Sequence, residues 1–149
     1  MTEFYDTLCR QLQALTEGIA YEVANCANAS ALLWQELEKI NWAGFYRFQD
    51  GRLVLGPFQG KPACILIPMG KGVCGTAAAE DRTVLVPDVH AFPGHIACDG
   101  ASRSEIVVPV HKNGALWGVL DIDSPEPGRF DENDREGLEA FVWIFEKTL

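Results

Sequence analysis

After Ile40 the spacing of apolar residues changes from steps of three or four to steps of two, which restricts the chain to folds combining amphipathic helices with antiparallel hairpins. Upstream, Phe4, Leu8, Leu12 and Leu15 share one helical face until Gly18 interrupts it. Ile19, Val23, Cys26, Leu33, Leu37 and Ile40 make a second stripe, with a break expected at Asn28 to Ser30. Downstream, Trp42 to Phe48 and Arg52 to Phe58 flank Asp50-Gly51, a pair suited to a hairpin turn. Cys64 to Ile67 reads as a short strand, Gly72 to Glu80 as a small-residue helix, and Thr83 to Val86 as another short strand. Pro87 to Ser104 is rich in Gly, Pro, His and Asp and has no period, so it reads as a functional loop. A closing helix, capped by Asp131, carries Leu138, Phe141, Val142 and Phe145 on one stripe.

Two strands, Glu105 to His111 and Ala115 to Asp123, flank Lys112-Asn113-Gly114, and the form of that turn decides what the acids can do. A two-residue Asn113-Gly114 turn sets Glu105 opposite Ile122. A three-residue loop with Gly114 left-handed sets Glu105 opposite Asp121, and this second register is the expectation. Alternation then puts Asp121 and Asp123 on one face and turns Leu116, Leu120 and Ile122 into a core. The element order predicts an α+β fold with a central antiparallel sheet flanked by N- and C-terminal helices.

With 149 residues, 48% hydrophobic and 22% charged, the chain suits a single domain over 1–149 with a substantial core, and no repeat or linker divides it. A formal net charge of −9 without a basic cluster argues against nucleic acid, and no basic amphipathic stretch points to a membrane surface. The absence of a leader-like start or a bilayer-length apolar run leads to the expectation of a cytoplasmic protein whose thiols are held reduced.

Chemistry concentrates in Cys64, Cys74 and Cys98, followed by Glu105, Asp121 and Asp123. The cysteine spacings fit neither a CxxC turn nor a zinc ribbon, so any pairing depends on tertiary structure. Cys98 lies in the polar loop, whereas Cys9 and Cys26 lie in helical stripes and read as small hydrophobes. Cys74 reads equally well as helix packing or as a functional thiol, and Cys64 by itself reads as structural. Asp121 and Asp123 also fit a solvated sheet face, and Trp42 and Tyr46 fit a core. His90, His95 and His111 lack metal-ligand spacing, so no metal is expected. Gly70 to Gly75 matches GxGxxG literally but sits in no parallel βαβ unit, which argues against a dinucleotide site.

The runs Asn41-Trp42-Ala43-Gly44-Phe45-Tyr46, Gly72-Val73-Cys74-Gly75-Thr76-Ala77-Ala78, Val86-Pro87-Asp88-Val89, Gly94-His95-Ile96-Ala97-Cys98-Asp99 and Ser104-Glu105-Ile106-Val107-Val108-Pro109-Val110 closely resemble the free methionine-(R)-sulfoxide reductases, which are GAF-domain enzymes. The resemblance implies that Cys98 is the nucleophile, that Cys74 and Cys64 are resolving thiols, and that Glu105, Asp121 and Asp123 contact substrate. It places Trp42 and Tyr46 in an aromatic pocket. It further implies no bound cofactor, recycling by thioredoxin with thioredoxin reductase and NADPH, and selectivity for the R epimer. A homodimer paired through terminal helices is expected, as in other small GAF domains. The other class to weigh is a GAF sensory module that binds or oxidises without turnover.

Elementary chemistry agrees with these roles. A sulfoxide oxygen leaves only when protonated, and clustered, partly buried carboxylates raise the pKa of at least one member so that it holds a proton near neutrality. The same negative field opposes a thiolate at Cys98, and either backbone N–H groups in the loop or the ammonium of a bound amino-acid substrate could offset it. Carboxylates suit the substrate ammonium, and backbone N–H groups around Ile96 and Ala97 suit its carboxylate. Cys98 oxidised to a sulfenic acid would condense with a neighbouring thiol.

Overall fold

The computed structural model describes residues 1–96 and 100–149; Ala97, Cys98 and Asp99 lie outside the described residues. Two helices, α1 (Glu3–Thr16) and α2 (Glu22–Glu36), precede the hairpin of β1 (Trp42–Gln49) and β2 (Arg52–Gly60). Then follow β3 (Leu66–Pro68), α3 (Gly72–Glu80), β4 (Val84–Val86), β5 (Ser104–Lys112), β6 (Ala115–Ser124) and α4 (Glu132–Glu146). The strands form one antiparallel sheet in the order β3-β2-β1-β6-β5-β4. Helices α1, α2 and α4 cover one face, where Phe45 of β1 stacks on Phe145 of α4 at 4.7 Å. Helix α3 packs on the other face beside Tyr46, Val107 and Val119. This side holds the site. No helix among the described residues is long and apolar enough to cross a membrane.

Local turn chemistry explains both hairpins. Asp50 and Gly51, at φ 53° and 77°, close β1 onto β2 with Gln49 paired to Arg52, as the two-residue turn requires. Asn113 and Gly114, at φ 52° and 79°, do the same between β5 and β6, with Lys112 paired to Ala115. The expected three-residue loop is therefore not formed. By itself this tight turn would have carried Glu105 to the face of Ile122. A bulge intervenes: His111 pairs with Leu116 but Val110 pairs with Gly118, which inserts Trp117 as an extra residue in β6. Glu105 consequently faces Asp123, not Asp121, and all three acids share one face. The bulge also turns Trp117 into the helical core and Leu116 toward the α3 side, opposite to the expected orientation of Leu116.

The helical faces depart from simple periodicity in α1 and α2. Tyr5, Leu8, Cys9, Leu12 and Thr16 form the buried face of α1, while Phe4 and Leu15 are each 45% exposed. The rotation is set by Tyr5, whose hydroxyl donates to Asp134 Oδ1 of α4 at 2.6 Å within the core. Helix α2 runs unbroken through Asn28 to Ser30, and the buried Ser30 Oγ donates to Cys26 O at 2.8 Å and to Pro57 O at 3.2 Å. Ile19 and Val23 are exposed. At the other end of the chain, Asp131 caps α4 in a reciprocal capping box with Asp134, and Leu138, Phe141, Val142 and Phe145 are buried as expected.

Tyr5 lies against Gly137 of α4, where a Cβ would fall on the aromatic ring. Gly137→Ala is expected to destabilise the fold by roughly 1–3 kcal/mol through overpacking, which exceeds the roughly 1 kcal/mol gained in helix propensity. Urea denaturation measures this as a lowered midpoint; a raised midpoint would show that the ring has room to move aside.

Candidate active site

The sheet face beneath α3 is hollowed into a pocket of about 530 Å³, mouth included. Its walls combine β1 (Trp42, Tyr46), β5 (Glu105), β6 (Asp121, Asp123), the start of α3 (Lys71 to Cys74) and the loop residues His95, Ile96 and Ser102. Strand alternation accounts for the β1, β5 and β6 contributions, once the bulge at Trp117 has set the phase. Of the residues singled out in the sequence, Trp42, Tyr46, Cys74, Ile96, Glu105, Asp121 and Asp123 line this one cavity. Cys64 adjoins the lining residue Ala63; Ala97 and Cys98 lie outside the described residues.

Two aromatic residues position the segment that carries Cys64. Trp42 stacks on Phe58 at 5.0 Å and on Tyr46 at 5.8 Å, and its Nε1–H donates to Lys61 O at 3.1 Å. The Tyr46 hydroxyl, kept protonated by burial, donates to Cys64 O at 2.9 Å. Strand β3 begins at Leu66 and Cys64 precedes it, contrary to the expected strand start. Cys64 is disulfide-bonded, whereas Cys9, Cys26 and Cys74 are free. Burial pushes the Cys26 thiol up to about 12, consistent with its packing role.

Three groups meet at the base. One ligand atom each from Cys74, Glu105 and Asp121 lies within 4.8 Å of the others, all three residues are buried, and Cys74 Sγ is 3.9 Å from Glu105 Oε2. Burial, then the charges of Asp121 and Asp123, holds the Glu105 carboxyl well above the usual carboxylate range. Burial also raises Asp121, but hydrogen bonds from Glu105, Cys74 and Asp123 oppose that rise. Of the pair, Glu105 is thus the carboxyl group whose proton is held more tightly. Burial and the same acids raise the Cys74 thiol well above its ordinary value, so it is a neutral thiol.

Positive character enters from the opposite wall. Lys71 precedes α3, no side chain caps that helix among the described residues, and Lys71, Gly72 and Val73 line the cavity. His95 is held neutral by burial and by His90, so it offers a hydrogen-bonding ring and no charge. The loop that supplies these residues is anchored at its C-terminal end, where Arg103 N donates to Ser124 O at 2.7 Å and Asn41 Nδ2 donates to Ser102 Oγ at 3.1 Å.

Sequence reasoning missed Lys71, His95 and Ser102 as pocket residues. Lys71 lay inside the dismissed glycine-rich run, and His95 was weighed only as a metal ligand. The run does deliver a helix start to the cavity, but the sheet around it is antiparallel, so it is no dinucleotide loop.

The raised acid has a consequence for stability. Between the unfolded carboxyl pKa of about 4.3 and its raised folded value, the folded state binds a proton that the unfolded state has lost, so stability falls as pH rises. Glu105→Gln should remove this dependence and stabilise the fold at pH 7 by roughly 1–2 kcal/mol. The gain should vanish below about pH 4, where both states of the native chain hold the proton. Urea midpoints at the two pH values test this; equal effects at both would show that Glu105 is ionised in the folded protein.

Fold and pocket together define a GAF domain, and residues 7–145 match that family. Free methionine-R-sulfoxide reductase of Escherichia coli (strain K12) is 54% identical over 148 residues, covering 99% of this chain and 90% of that protein. A structure of fRMsr of Staphylococcus aureus in its reduced form superposes with a TM-score of 0.95 at 56% identity, covering 97% of this chain and 94% of that one. The free methionine-R-sulfoxide reductase of Neisseria meningitidis, solved in complex with its substrate, superposes with a TM-score of 0.93 at 44% identity, covering 97% and 87%. This chain belongs to the free methionine-R-sulfoxide reductase family, a group of GAF-domain oxidoreductases.

Proposed function

We propose that this protein reduces free methionine-(R)-sulfoxide to methionine, with Cys98 as nucleophile, Glu105 as proton donor and Cys64 as resolving thiol. The observation that carries the reading is the buried Glu105–Asp121 pair, which holds a proton inside an aromatic-walled pocket. The Cys98 thiolate attacks the sulfoxide sulfur as Glu105 protonates the sulfoxide oxygen, and the resulting hydroxyl passes to the Cys98 sulfur as the new S–S bond breaks and leaves its electron pair on the methionine sulfur. Methionine and a Cys98 sulfenic acid result, so sulfur of the substrate is reduced by two electrons and that of Cys98 is oxidised by two. The Cys64 thiol then condenses with the sulfenic acid, releasing water and forming a disulfide. A dithiol of the thioredoxin type restores both thiols by exchange and leaves as its own disulfide.

The disulfide-bonded state of Cys64 and the free state of Cys74 support this division of labour. In this reading Asp121 and Asp123 pair with the substrate ammonium and Trp42 and Tyr46 wall its S-methyl group, all four residues lining the pocket.

Steady-state consumption of L-methionine-R-sulfoxide and of the S epimer, with thioredoxin, thioredoxin reductase and NADPH, tests the proposal. Turnover of R alone is expected. No turnover of either epimer, with any of several small dithiols also failing as reductant, would reject the enzyme reading in favour of a binding module.

A further inference from the structure

We infer that Cys74, Glu105 and Asp121 form a binding site for a single thiophilic divalent cation of the zinc class. One thiol sulfur and one oxygen from each of two carboxyl groups converge within 4.8 Å, on three different elements of the fold. Ligand atoms of a tetrahedral zinc stand about 3.3–3.8 Å apart, given bond lengths of about 2.0–2.3 Å. The 3.9 Å separation of Cys74 Sγ and Glu105 Oε2 already approaches that spacing, so closing on an ion asks little movement of the backbone.

A second observation points to a cation independently of the clustering. Asp121 is only 5% exposed and lines the pocket, and although Glu105, Cys74 and Asp123 hydrogen-bond to its carboxyl group, its Oδ1 receives no hydrogen bond. A carboxylate oxygen so placed lacks the donors that normally offset its burial, and a metal ion would satisfy it directly. The mixed sulfur and oxygen donor set selects zinc-like ions over magnesium or calcium, which take oxygen ligands. Three protein ligands leave the fourth position open toward the cavity. None of the three histidines is among the donors, so the reasoning from histidine spacing did not bear on this site.

The site overlaps the proposed substrate pocket but does not depend on the proposed reaction. A bound ion would occupy the carboxylates that meet substrate and tie up the Cys74 thiol, so Zn²⁺ would act as an inhibitor.

Titration of the reduced, metal-free protein with Co²⁺ alone tests the inference, since a thiolate ligand gives a sulfur-to-cobalt charge-transfer band in the near ultraviolet. One equivalent should bind with that band. Cys74→Ser should abolish the band, Cys64→Ser should keep it, and Asp121→Asn and Glu105→Gln should each weaken binding at least tenfold. Zn²⁺ should displace the Co²⁺. Absence of stoichiometric binding, or a band that survives Cys74→Ser, would overturn the inference, as would unchanged affinity in Glu105→Gln, a variant expected to be more stable than the native chain. These readouts contain no turnover, so a chain that reduces sulfoxide without binding Co²⁺ rejects the metal site alone, and the reverse result rejects the reaction alone.

Discussion

Cys98→Ser is expected to abolish reduction of free methionine-R-sulfoxide, with kcat falling on the order of 10⁴-fold or more, the scale seen when a nucleophile is removed. A serine hydroxyl at neutral pH is a poor nucleophile toward sulfur, and the fold supplies no ready substitute. Cys74 is the free thiol lining the described pocket, and burial beside Glu105 and Asp121 keeps it protonated. Cys9 and Cys26 are buried in the helical layer on the other face of the sheet. Substrate affinity should change little, because the proposed contacts to Trp42, Glu105 and Asp121 remain. The check is NADPH consumption in the coupled assay alongside calorimetric substrate binding. Retention of more than about one per cent of native kcat would require a different nucleophile, since loss of an activated nucleophile ordinarily leaves far less.

Cys64→Ser should separate the first half of the reaction from the second. Rapid mixing is expected to release about one methionine per protein and then stall, because the sulfenic acid has lost its resolving thiol. Dimedone should label that stalled state. Cys74→Ser, by contrast, should continue to turn over, since Cys74 is a free thiol where Cys64 is disulfide-bonded. The opposite pattern, a stall in Cys74→Ser and continued turnover in Cys64→Ser, would exchange the two roles. Continued turnover in both would mean that the external dithiol reduces the sulfenic acid directly.

The disulfide assignment and the acid pair show where sequence reasoning ran out. Spacing along the chain does not distinguish the two cysteines, whereas in the folded protein Cys64 is disulfide-bonded and Cys74 is a free, buried thiol. Likewise three acids close in sequence announced a cluster, but their proton affinity depends on how much water is removed from them. Burial of Glu105 and Asp121 beneath α3 is a property of the packed sheet, and it is the largest cause of both shifts.

What the sequence by itself determined was everything governed by neighbours along the chain. Asp50-Gly51 dictates a tight turn through its left-handed backbone tolerance, Asp131 caps α4, and the change of apolar period after Ile40 separates helices from strands. The tertiary structure decided the phase of those elements. A bulge at Trp117 reverses the register error that a two-residue turn would impose and returns Glu105 to the face of Asp121 and Asp123. The Tyr5–Asp134 bond, with Gly137 making room for the ring, turns α1 off its simplest apolar stripe. Turns and caps are energetically local, whereas register and burial are settled by which distant surfaces fit together, and a single bulged residue is enough to move every side chain beyond it to the other face.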